Sequence, residues 1–175
     1  MTKRHTMVRH GLCSFAVVLV CAGHGYAQTS RGTAYPVSLS GPRLGATFLS
    51  PGVADTLRDR QIHAGWALSQ FGWQFEKRIK TGPSGLSAVN EWVVLAGGLE
   101  QGIVIPSLSW LVGLRTGSGV EFGLGPNVTP AGVALALAGG VTITKGALNV
   151  PFNVAVVPSR AGMRVSVLTG FNMKR

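Results

Sequence analysis

Acidic residues are scarce in this chain: six Asp and Glu stand against sixteen Lys and Arg, and charged residues of both signs make up only 13% of the sequence. An ordinary soluble domain carries about 25%, so the composition argues against a surface solvated on every side. Both cysteines, Cys13 and Cys21, lie near the N-terminus. The rest of the chain therefore has no disulfide, no thiol nucleophile and no cysteine metal site. Apolar runs are short, and none reaches the roughly 18 to 20 residues of a membrane-spanning helix. Histidine is equally thin: His5, His10 and His24 sit in the first 27 residues, leaving His63 beyond them.

The N-terminus carries the marks of an export signal. Lys3, Arg4 and Arg9 form a positive region, Leu12 to Ala22 an apolar one, and Gly25-Tyr26-Ala27 places small residues where a signal peptidase reads. Cleavage is expected between Ala27 and Gln28. Residues 1–27 are thus read as a signal peptide, 28–42 as a polar, aperiodic and flexible leader, and 43–175 as one β-barrel domain. Removal of the signal leaves 148 residues and lowers the net charge from +10 to +7, because Lys3, Arg4 and Arg9 leave with it. That length is enough to bury a core.

The basic excess does not point to nucleic acid. Its only cluster, Lys77, Arg78 and Lys80, ends an apparent strand with no stacking aromatics interleaved. The cluster is better read as a solvated strand end, or as a partner of anionic lipid headgroups.

What fills the chain is alternation. Leu108, Trp110, Val112 and Leu114 share one face of a period-two segment while Ser107, Ser109, Gly113 and Arg115 share the other. The same split recurs from Phe71 to Arg78 and in the segments beginning near Val120, Val133, Leu148 and Met163. Weaker segments lie at Leu44–Leu49 and Val89–Ala96. Thr81–Gly85, Thr116–Gly119, Lys145-Gly146 and Pro158–Gly162 supply turn residues between them. Ser50-Pro51 is a helix start, predicting a short helix over Val53 to Gln61. The fold class is all-β: an up-and-down antiparallel meander β-barrel of about eight strands, with a short helix in the first long connection.

Two barrels share this pattern, turned inside out relative to each other. The minor face is mainly Gly, Ala, Ser, Thr and Asn, which suits a cramped lumen better than a water-facing surface. Trp110, Phe122, Leu135, Phe152 and Phe171 are accordingly expected to face lipid. Glu76, Arg78, Arg115, Glu121, Asn153 and Arg164 are expected in the lumen as structural polar groups. The alternative is an exported soluble, calycin-like barrel, periplasmic or secreted, that holds a small apolar ligand in an interior lined by Val, Leu, Ile and Phe.

Signal peptide, cysteine-free body, alternating strands and a last strand ending in Phe171 together resemble the small eight-stranded outer-membrane proteins of Gram-negative bacteria. The resemblance implies an outer-membrane location, membrane lipid as the surrounding partner, and the barrel-assembly machinery as a partner during biogenesis. In that family a terminal aromatic is read during assembly, whereas here Asn172-Met173-Lys174-Arg175 follow Phe171. Some such barrels are lipid-modifying enzymes, and in this chain Asp59 and His63 would share a helical face if the helix reached that far. No nucleophile signature accompanies them. The expected role is structural or interactive, with no catalysis, cofactor, metal or nucleic-acid partner. Glu76, Glu91, Glu100 and Glu121 are too far apart in sequence to be named as a pair.

Overall fold

A computed structural model describes residues 37–80, 85–145 and 147–174. The expected signal peptide, its expected cleavage between Ala27 and Gln28, and residues 28–36 of the expected leader lie outside these residues, as do residues 81–84 and Gly146.

Period-two segments become strands: β1 (Val37–Leu49), β2 (Ala67–Lys80), β3 (Ser87–Gly97), β4 (Ile105–Arg115), β5 (Val120–Thr129), β6 (Gly132–Lys145), β7 (Leu148–Ser159), β8 (Gly162–Gly170) and β9 (Asn172–Lys174). From β1 to β8 each pairs antiparallel with the next, and β1 pairs both with β2, from Val37 opposite Arg78 to Phe48 opposite Ala67, and with β8, from Arg43 opposite Gly170 to Leu49 opposite Arg164. The sheet is thereby closed and has no free edge. β9 resumes the path of β8 beyond Phe171, pairing with β1 and β7, so the barrel has eight staves.

Two boundaries differ from the sequence expectation. β1 starts at Val37, not near Leu44. Residues 37–42, read as part of the polar leader, alternate only over Val37-Ser38-Leu39-Ser40 before Gly41-Pro42, and their order comes from pairing with β2. The helix α1 occupies Pro51–Asp59, with Ser50 as N-cap and Pro51 at its first position. It stops before Gln61 because Gln61 turns left-handed, at φ 63°, while the Ile62 N–H returns to the Leu57 carbonyl at 2.9 Å. That turn drops Ile62 against the apolar cluster at the barrel mouth.

The faces sort by chemistry. Among the described residues, thirty large apolar side chains are exposed, against twelve apolar side chains that are buried. The exposed set forms the outer rows, such as Leu108, Trp110, Val112 and Leu114 on β4 and Phe71, Trp73 and Phe75 on β2. Phe48 stacks on Trp66, and Trp92 on Trp110, whose indole N–H donates to Asn90 Oδ1 at 3.1 Å. On β6 the outer row runs from Val133 to Ile143, eleven residues that span about 25 Å at a rise of about 3.3 Å and a tilt of about 40°. That is the height of the apolar band of a membrane barrel, about 25 Å.

The core is the lumen. Val93, Leu95, Leu111, Ala136, Val157 and Leu168 pack across its middle. At one mouth α1 lies inward on Val53 and Leu57, 1% and 2% exposed, against Leu49, Leu68 and Ile105. The helix sits close enough to the β7–β8 turn that a Cβ at Gly52 would come 2.1 Å from the Ala161 carbonyl oxygen. Ser50 Oγ, free of any capping bond, accepts the Met163 N–H at 2.9 Å. Leu57→Ala, which removes the largest apolar group of this cap at a cost of about 2–5 kcal/mol in local packing, is expected to speed tryptic cleavage after Arg58 and Arg60. The check is limited proteolysis of the folded protein beside wild type.

Candidate functional site in the barrel lumen

Along each stave the inner row runs from one mouth to the other, so strand order and register decide which inner side chains meet. The β2–β3 register sets Glu76 opposite Glu91, and the β4–β5 register sets Arg115 opposite Glu121. These two pairs converge at the half of the lumen nearer the chain termini. Arg115 Nη1 and Nη2 donate to the two carboxylate oxygens of Glu76 at 2.5 and 2.7 Å, a bidentate pair. Its Nε donates to Glu121 Oε2 at 2.7 Å, and its Nη2 also donates to Glu121 and lies 3.6 Å from Glu91 Oε1. Asn153 Nδ2 donates to the other Glu121 oxygen. Arg43, fully buried, donates from Nε to Gln74 Oε1 at 2.9 Å and from Nη1 to Asn172 Oδ1 at 2.8 Å and the Pro42 carbonyl at 2.9 Å.

One oxygen from each of Glu76, Glu91 and Glu121 lies within 4.8 Å of the others. Such a triad has the ligand types for a hard cation, but here the Arg115 guanidinium bonds Glu76 and Glu121 directly and takes the place of a metal. The arrangement therefore cross-links four strands with charge-assisted bonds and fills that end of the barrel.

Between this network and α1 lies a cavity of about 80 Å³. Leu49, Leu57, Leu68, Leu95 and Ile105 line its helix side, and Gln74, Glu91 and Asn153 its opposite side. Arg164, at the start of β8, borders it and donates to Thr129. Thr47 and Ser166 hydroxyls bond each other at 2.7 Å, and Asn127 Nδ2 donates to Ser107 and Ser109 at 2.9 Å.

Of the residues expected in the lumen, Glu76, Arg115, Glu121 and Arg164 are buried there, while Asn153 and Arg78 are half-buried on the inner row. The structure brings Glu76, Arg115, Glu121 and Asn153 into one network and leaves Arg164 at the other mouth. Trp110, Phe122, Leu135, Phe152 and Phe171 are 41–56% exposed on the outside. Arg43 and Glu91 are the buried charged residues of the lumen that sequence reasoning missed. Arg43 lay at the edge of the presumed leader, and Glu91 lies in a strand apolar on both faces, Val89, Val93 and Leu95 inside and Trp92 and Val94 outside. The signal that could have found Glu91 was register: the turn after β2 places it directly across from Glu76.

His63 is exposed beyond the end of α1, and the left-handed turn at Gln61 removes the helical face it was expected to share with Asp59. Among the described residues it has no hydrogen-bond or ion-pair partner, so the contacts of an acyl-transfer triad are not assembled around it. The carboxylate of Glu100 in the turn Leu99–Gln101 does have partners: the Ser69 hydroxyl and main-chain N–H both donate to it. These bonds, the hydroxyl's first, hold its carboxyl at about 2, below the ordinary glutamate value of 4.5. A lowered folded value means the contribution to stability is present above 4.5 and fades as the pH falls toward 2. Ser69→Ala is expected to move the Glu100 titration midpoint back up, read by carbon-13 NMR of the side-chain carboxyl. An unmoved midpoint would mean that the serine contact does not set it.

No protein-family model matches the sequence, and no curated protein matches it either. A similar chain path is found in the crystal structure of Ail, the attachment invasion locus protein of Yersinia pestis, in complex with the heparin analogue sucrose octasulfate; it is 8% identical, the match covers 80% of this chain and 97% of that one, and the TM-score is 0.49. Register and burial by themselves establish what this molecule is in outline: a closed eight-stave up-and-down barrel, apolar outside, charged within and capped by a helix at one mouth.

Proposed function

We propose that this chain is a small outer-membrane β-barrel protein with a structural or interaction role and no catalytic one. The observation that carries the reading is the inverted distribution of side chains: among the described residues most of the thirty exposed large apolar groups lie around the barrel wall, while Arg43, Glu76, Glu91, Arg115 and Glu121 are buried inside. Soluble monomers rarely expose an apolar patch beyond about 300–600 Å², and this belt encircles the molecule. In lipid the same surface is satisfied, and closure pairs the backbone of every stave with its neighbours.

The soluble, apolar-lined alternative needed the large apolar face inside. The inner rows instead carry the arginines Arg43, Arg115 and Arg164 and the glutamates Glu76, Glu91 and Glu121 among small, hydroxylated and a few apolar side chains, while the aromatic and most of the large apolar side chains stand outside. Outer-membrane lipid is then the surrounding partner and the barrel-assembly machinery the partner in biogenesis. Membrane fractionation is the test. The protein is expected to sediment with outer membranes and to leave them only in detergent; recovery from the soluble periplasm without detergent would defeat the proposal.

A further inference from the structure

The charges outside the lumen are sorted between the two mouths. The chain has six acidic residues. Glu76, Glu91 and Glu121 are buried inside, Asp55 and Asp59 lie on α1, and Glu100 lies in the turn Leu99–Gln101 at the same mouth. There the exposed Asp55, Asp59 and Glu100 stand with the exposed Arg58, Arg60 and Arg160, and the helix mouth is balanced. No acidic residue is left for the outer surface at the end nearer the chain termini, where Lys77 and Lys145 are exposed and Lys80 and Lys174 end β2 and β9.

Lys77 is set into an apolar outer row. On β2 that row reads Phe71, Trp73, Phe75, Lys77 and Ile79, and across the β2–β3 register Lys77 faces Asn90 while Phe75 faces Trp92. Outer residues paired in this way stand about 5 Å apart, and successive outer positions follow at about 7 Å along a strand. Trp110 stacks on Trp92 and donates its indole N–H to Asn90 Oδ1 at 3.1 Å. Because an indole only donates, that bond fixes the amide and leaves Asn90 Nδ2 as a donor with no partner among the described residues. The exposed Lys77 ammonium likewise has no acceptor among them. Both donors sit on the face that the apolar belt turns to lipid, where an unbonded polar group is costly and an ionisable one marks a binding site.

We propose that this block of the outer wall holds an anionic glycerophospholipid of the leaflet nearer the chain termini, its phosphodiester on the Lys77 ammonium and Asn90 Nδ2 and an acyl chain over Phe75 and Trp92. The polar pair lies nearer the end of the barrel and the aromatic pair deeper, the order of headgroup and chain in a bilayer. The four-carbon stem of Lys77 carries its ammonium past Ile79 to headgroup level. A phosphodiester supplies the acceptor oxygens that both donors lack. The headgroup is a net anion, because a zwitterionic one would bring its own cation to a rim with no carboxylate to receive it. The proposal rests on the membrane reading and adds to it which lipid this wall selects, and where.

Fluorescence quenching by brominated lipids tests it. The protein carrying Trp66→Phe and Trp73→Phe, which leaves Trp92 and Trp110 as its indoles, is folded into vesicles of phosphatidylcholine and phosphatidylglycerol, with bromine on the chains of one lipid and then of the other. Phosphatidylglycerol is expected to quench as a ligand bound about fivefold more tightly than phosphatidylcholine, the share that one lysine at an anionic surface provides. Lys77→Gln is expected to abolish the preference, while Lys77→Arg and Lys145→Gln leave it in place. Equal quenching by both lipids would overturn the proposal and leave the membrane reading standing. A preference that survives Lys77→Gln, or that falls as far with Lys145→Gln, would overturn it by making the attraction general to the rim. Quenching by neither lipid would remove the site and the membrane reading together.

Discussion

Arg115→Met is expected to destabilise the folded barrel by about 3–5 kcal/mol, the cost of removing one partner of a buried ion pair and leaving the other uncompensated. The size follows from the geometry: Arg115 is 2% exposed and bonds Glu76 through both of its terminal nitrogens and Glu121 through Nε. Without it, Glu76, Glu91 and Glu121 would face one another with one oxygen of each inside 4.8 Å. Urea unfolding of the protein folded into vesicles, followed by tryptophan fluorescence, measures the loss. Adding Glu76→Gln and Glu121→Gln to Arg115→Met should recover most of it, since replacing all partners of a buried ionic network together is often neutral. A loss under about 1 kcal/mol, the scale of an exposed ion pair, would mean that the network does not brace this end of the lumen.

Leu137→Arg is expected to cost about 2–4 kcal/mol of folding free energy in a bilayer, the penalty for an arginine at mid-depth on the lipid face of a barrel. Leu137 lies near the middle of the outer row of β6, flanked by Leu124 on β5 and Val156 on β7. Leu99→Arg, a substitution at an exposed position in the turn after β3, is the control and should change stability by no more than about 0.5 kcal/mol. The pair of measurements separates solvents. In water an exposed leucine accepts arginine at little cost, so equal and small effects at both positions would return the soluble barrel to favour.

Most of the strand pattern was legible because the information is local. A strand side chain points to one face or the other by its parity, and large apolar residues at Leu108, Trp110, Val112 and Leu114 mark a face however the strand is later paired. The same held for the helix start at Ser50-Pro51, where the N-cap preference and the fixed φ of proline act within a few residues. Legibility failed where order comes from a partner. Residues 37–42 alternate only over the four residues Val37-Ser38-Leu39-Ser40 before Gly41-Pro42, and become strand against β2. The helix end moved because Ile62 is drawn to Leu49 and Leu57 at the mouth, a contact no window of sequence contains.

The candidate site divides in the same way. Charges at Glu76, Arg115 and Glu121 were visible as inner-face residues, but their meeting was not, and sequence separation suggested the opposite. Two hairpin registers bring Glu76 to Glu91 and Arg115 to Glu121, and curvature of the closed sheet brings the two pairs together. By itself the sequence determined which residues share a face, because pleating is a property of consecutive residues. Only the tertiary structure decided which face is inside, that α1 seals one mouth, and that three glutamates share one arginine, because closure of β1 against β8 couples positions far apart along the chain.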